Sequence, residues 1–196
     1  MQTFLPLTQS DIDNINNDEL ATIRNAFTNI AKSLDNKRLF KQALEGWQIL
    51  LNLLELDPQG NHRTPKGWAN HPAVKMWRGS EAVLAQYVWT MIMEWKSRGF
   101  KTTLLEKLQD TVNTAVAKGL NYRNAIPLWM RDKDMLTHIA ASHRLALLVK
   151  QYEWYKQFNW PEDSGTEPTS YEYVWPAKGG KYDKDEGTKQ ALVLSK

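Results

Sequence analysis

The chain contains no cysteine among its 196 residues. Disulfides, thiolate metal sites and a cysteine nucleophile are therefore excluded, a composition that fits a reducing cytoplasm. No apolar run approaches the roughly 20 residues needed to span a bilayer. The first residues, MQTFLPLTQSDIDN, lack a basic stretch followed by an apolar one, so no secretory leader is expected. Walker loops, HExxH and GxSxG are missing too. The four histidines, His62, His71, His138 and His143, have no metal-ligand spacing, and each reads as a structural side chain. Neither a metal nor an organic cofactor is expected.

What remains is a chain that is 42% hydrophobic, long enough for one domain with a real core. Nine tryptophans and seven tyrosines are many for this length. Most should be core, and some could be platforms on which bases stack. Net charge is only +3, but basic residues gather at Lys32, Lys37, Arg38 and Lys41 and again at Arg63, Lys66, Lys75 and Arg78. Such a face would attract phosphates. A solvated helix surface is the plainer reading of the same pattern.

Apolar residues recur at helical spacing over residues 18–34, with Asp18 as candidate cap. In residues 34–56, Leu39, Ala43, Trp47, Leu50 and Leu54 form an apolar stripe, and Asp35 or Asn36 is the natural cap. Arg38, Gln42, Glu45, Gln48 and Asn52 form a second, polar stripe. After a loop over 57–67, a helix is expected from Pro72 to about Arg98, its core stripe interrupted by the carboxylate of Glu81. Further helices are expected over 103–118 and, as one long or two abutting segments, over 133–158. The fold class expected is all-α: a compact helical bundle over 1–160, an extended aromatic strap over 161–176 packed on it, and a flexible tail over 177–196.

Chemistry concentrates in Lys37, Arg38, Lys41, Gln42 and Glu45 on one helix, a free N-terminal amine, and the segment GWANHPAVKMWRGSE. Lys41 and Glu45 are spaced for an ordinary ion pair worth a few tenths of a kcal/mol. The same spacing also suits an acid flanked by phosphate-binding groups.

MQTFLP, LDNKRLFKQALEGWQIL, GWANHPAVKMWRGSEAVLAQY, EWKSRGFKTTL, SHRLALL and YVWP occur in that order. As a set they resemble bacterial and phage pyrimidine-dimer DNA glycosylases of the endonuclease V type. The resemblance implies an all-helical enzyme whose N-terminal amine attacks the sugar C1′, displaces the base and forms a Schiff base that permits strand cleavage. It places the family's glutamate on Glu45. Gln2 is bulky, so Met1 is expected to be retained and to supply the nucleophile. An α-amine has an ordinary pKa of about 7.7–8.0, so a useful fraction is neutral at cellular pH. The arginine that precedes the family glutamate is Leu44 here. Lys37, Arg38, Lys41, His71, Arg78, Arg144 and Lys150 are the expected DNA-binding residues. Glu81 would hold His71 or Arg78 in place, or form a buried ion pair with Arg38 or Arg78. Tyr173 and Trp175 would pack near the lesion or simply in the core.

The expectation is thus a cytoplasmic glycosylase, of a bacterium or a phage-infected cell, acting as a monomer on double-stranded DNA. The rivals are a glycosylase for a modified base, a non-catalytic DNA-binding module of the same fold, and a helical scaffold for protein partners.

Overall fold

The computed structural model describes residues 2–15 and 19–176. Met1, the proposed Asp18 cap and the tail over 177–196 lie outside those residues. The described chain is all-helical: α1 (Gln9–Asn14), α2 (Leu20–Ser33), α3 (Asn36–Leu53), α4 (Pro72–Lys75), α5 (Glu81–Ser97), α6 (Leu104–Ala117), α7 (Leu128–Arg131), α8 (Lys133–Lys150) and α9 (Tyr152–Tyr155). Among the described residues no β-strand forms. A single isolated bridge joins Leu56 to His62.

Helix α3 is central. Asp35 caps it by accepting the Arg38 N–H at 3.1 Å, and Leu39, Ala43, Trp47 and Leu50 are buried along the expected stripe. It crosses α5 closely because Gly46 has no side chain: a Cβ there would stand 2.6 Å from Val88 Cγ2. The expected helix over 72–98 is broken. Gly79, at φ +81°, turns the chain between α4 and α5. Glu81 opens α5 and accepts the backbone N–H of Gly79 at 2.8 Å and of Arg123 at 3.2 Å. It is buried and bonds these backbone groups and none of His71, Arg38 and Arg78. That corrects both expectations for it. Burial raises the Glu81 pKa above the ordinary carboxylate value.

The N-terminal segment does not lie on the surface. Residues 2–7 are buried, threaded between α3, α5 and α8. An extended segment has no internal hydrogen-bond ladder, so its polar groups must be met by side chains. Phe4 N–H donates to Gln42 Oε1 at 2.6 Å, and Leu5 N–H to His143 Nδ1 at 2.9 Å. Tyr87 donates to Phe4 O at 2.8 Å, Trp77 Nε1–H to Thr3 Oγ1 at 2.9 Å, and the Arg144 guanidinium to Leu7 O. Because His143 Nδ1 accepts, the neutral ring carries its proton on Nε2. That nitrogen lies 2.8 Å from the Gln2 amide. The amide therefore turns its oxygen to the ring; the opposite orientation leaves Gln2 Oε1 buried without a partner.

Residues 171–175, in neither helix nor strand, reach α8. Val174 N–H donates to Ser142 Oγ on α8 at 3.1 Å, and Tyr173 and Trp175 both pack edge-on against His143.

Candidate active site

The threaded segment meets α3 at Gln2. There Gln2 N–H donates to Glu45 Oε2 at 2.9 Å, and the carboxylate is largely withdrawn from solvent, its side chain 14% exposed. Lys41, one turn earlier, brings its ammonium to 3.7 Å from Glu45 Oε1 while staying 61% exposed itself. Glu45 thus has one oxygen on the backbone of Gln2 and the other toward an exposed cation.

A cleft of about 480 Å³ opens over this point, lined by Gln2, Phe4, Lys37, Arg38, Lys41, Glu45, His71, Lys150, Tyr173 and Trp175. Eight residues singled out from sequence meet in it: Lys37, Arg38, Lys41, Glu45, His71, Lys150, Tyr173 and Trp175. Four cationic side chains face one carboxylate among these lining residues, so the cleft focuses positive potential. Arg38 is partly committed to the fold, donating to Lys150 O at 2.9 Å and pairing with Asp35 at 3.5 Å. Lys150 donates to the Tyr171 hydroxyl and sits 4.3 Å from that ring's centroid, which ties α8 to the strap. This contact lowers the Tyr171 pKa, and burial raises that of Tyr173.

Two expected DNA contacts are elsewhere. Arg144 is buried, with its guanidinium bound to Glu162 through 2.7 and 2.8 Å contacts and to Leu7 O. All three of its nitrogens are engaged inside the protein, so it is a clamp on the N-terminal segment and not a phosphate contact. Arg78 is exposed beyond the cleft, reaching Ala69 O at 3.4 Å.

His71 caps α4: its Nδ1 accepts the Ala73 N–H at 3.1 Å. Its ring packs against Trp68 at 4.7 Å and edge-on against Trp175 at 5.7 Å. Burial lowers its pKa, so the ring is neutral at neutral pH. His143, fully enclosed below the cleft, is pushed down to about 3 by the same cause. A second cleft of about 480 Å³ borders Glu45 on its other side, lined in part by Gln48, Asn52, Arg63, Lys66 and the exposed Trp68.

Sequence reasoning missed Gln2, Gln42, Tyr87 and His143 as the residues that seat the N-terminus. Gln42 stood on the polar stripe, yet nothing local distinguishes an amide facing solvent from one holding a buried backbone. Among the described residues no group of three His, Asp or Glu side chains could hold a metal, and no helix is long and apolar enough to cross a membrane. No curated protein and no solved structure matches the chain. Residues 20–107, which carry Lys37, Arg38, Lys41, Glu45, His71 and Arg78, match the family model described as pyrimidine dimer DNA glycosylase, the family that the sequence motifs resemble.

Proposed function

We propose that the chain is a DNA glycosylase with associated lyase activity, whose nucleophile is the N-terminal amine and whose proton carrier is Glu45. The observation that carries the reading is the 2.9 Å bond from Gln2 N–H to Glu45 Oε2 in a cleft rimmed by cations. Covalent geometry keeps the α-nitrogen of residue 1 within roughly 3–4 Å of Gln2 N, whatever the rotation about the intervening bonds. What the reading requires of a Met1 amine is that it come within one water of the carboxylate, the reach of proton transfer. The neutral amine bonds to C1′ as the C1′–N bond breaks and the base leaves with the electron pair. The ammonium so formed passes a proton to Glu45. Glu45 returns it to the sugar O4′ as the ring opens and nitrogen and C1′ become a protonated imine. Lys37, Lys41, Arg38 and Lys150 would hold the phosphates on either side. The substrate is double-stranded DNA carrying a pyrimidine dimer, whose disturbed stacking reduces the few kcal/mol needed to expose C1′.

Borohydride reduction with dimer-bearing DNA, followed by peptide mapping, tests this. An adduct on Met1 is the expected result. One on Gln2 keeps the mechanism for a chain that has lost Met1, because that nitrogen already sits on Glu45. An adduct on Lys37, Lys41 or Lys150 overturns the nucleophile. Residues added before Met1 should abolish the adduct while leaving the helical spectrum unchanged.

A further inference from the structure

Resting on that reading, we infer that His71 is the hydrogen-bond donor for the departing base, its Nε2–H meeting the charge that develops on the pyrimidine C2 oxygen. The mechanism above uses an amine, a carboxylate and cations for the phosphates. It leaves the base itself without a partner. When C1′–N1 breaks, the bonding pair passes to the ring and is shared between N1 and O2. The charge must be stabilised there until solvent protonates the released base.

His71 is built for this in three respects. Its tautomer is set by the backbone: Nδ1 accepts from Ala73 N–H, so the neutral ring carries its proton on Nε2. Among the described residues that Nε2–H has no hydrogen-bond partner, although the ring lines the cleft with Glu45. The ring plane is held between Trp68 and Trp175, so the donor needs no reorganisation when charge appears. Partial burial, which disfavours the charged ring, keeps the imidazole uncharged. A neutral imidazole polarises an oxygen without competing with the lysines for the phosphates.

The test separates base departure from the later steps. Serine at position 71 keeps the helix cap and removes the ring; asparagine keeps both the cap and an N–H donor. Single-turnover cleavage of the C1′–N1 bond is measured on a duplex with one cyclobutane thymine dimer, and strand cleavage on a duplex with a preformed abasic site, where no such bond has to break. In His71→Ser the ratio of the first rate to the second falls by about 100-fold, the usual loss for one preorganised donor, with DNA affinity unchanged. In His71→Asn most of the ratio returns. An equal loss on both duplexes, or an asparagine variant no better than the serine one, makes His71 a structural cap and overturns the inference. A wild-type protein that leaves the dimer duplex intact overturns the glycosylase reading on which it rests.

Discussion

Glu45 has two neighbours with different demands, and one substitution separates them. Gln2 N–H needs an acceptor, and a glutamine at position 45 still offers one. Proton transfer needs a carboxylate. Glu45→Gln should therefore keep the fold and DNA affinity and lower base release by about 10²–10⁴, the range for a positioned acid–base group. Unfolding of the variant, or undiminished release, would make Glu45 a structural anchor. His143 gives a pH prediction. Its pKa is lowered from 6.5 to about 3 in the folded protein, because burial disfavours the charged ring. The unfolded chain thus binds more protons between those values, so stability falls as pH drops below 6.5. At pH 5 the loss is about 2 kcal/mol. Urea unfolding at pH 7.5 and 5 should show it, and His143→Asn should remove most of the difference. The spacing of Glu45 on α3 fits an ordinary ion pair with Lys41 equally well, and only the family resemblance singled it out in the sequence. His143 looked structural, but its partners are Leu5 and Gln2, some 140 residues away, and no spacing rule reaches that far.

Helices with one strongly apolar face were readable because periodicity is local. The core stripe of α3 and the Asp35 cap appear where the pattern puts them. The helix over 72–98 was not, since its interruption depends on Gly79 at positive φ and on Glu81 bonding two backbone N–H groups, one from a distant loop. Helices α1 and α7 are too short to show a period. The α3–α5 crossing offers a sharp test. Alanine is intrinsically better than glycine in a helix by about 0.8–1 kcal/mol. At position 46, however, its Cβ would meet Val88 Cγ2 at 2.6 Å, and overpacking a tight core costs about 1–3 kcal/mol. Gly46→Ala should therefore be net destabilising, by about 1 kcal/mol in urea unfolding. Adding Val88→Ala should relieve the clash, so the double variant loses less than the two single losses combined. Strict additivity would mean that the helices separate to admit the methyl group.

At the scale of the molecule, a net charge of +3 says little about DNA, because charge matters by where it converges. The fold gathers Lys37 and Lys41 from α3 and Lys150 from α8 around one opening, and it withdraws Arg144 into the interior. In sequence Arg144 and Lys150 looked alike, two basic residues on one helix. What separates them is Glu162, supplied by the chain after it has turned back across α8. Binding to a duplex should report that sorting directly. Each phosphate contact releases condensed counterions, so losing one lowers the slope of log affinity against log salt by about one unit. Lys37→Gln and Lys41→Gln should each show this decrease. Arg144→Gln should leave the slope alone and instead weaken the fold, because Glu162 and Leu7 O lose a charged donor; removing one partner of a buried pair costs about 3–5 kcal/mol. Titrations across a salt series, paired with urea unfolding of the same variants, distinguish the two kinds of residue. If Arg144→Gln alone lowered the slope, the DNA would lie across α8 and not over the Glu45 cleft.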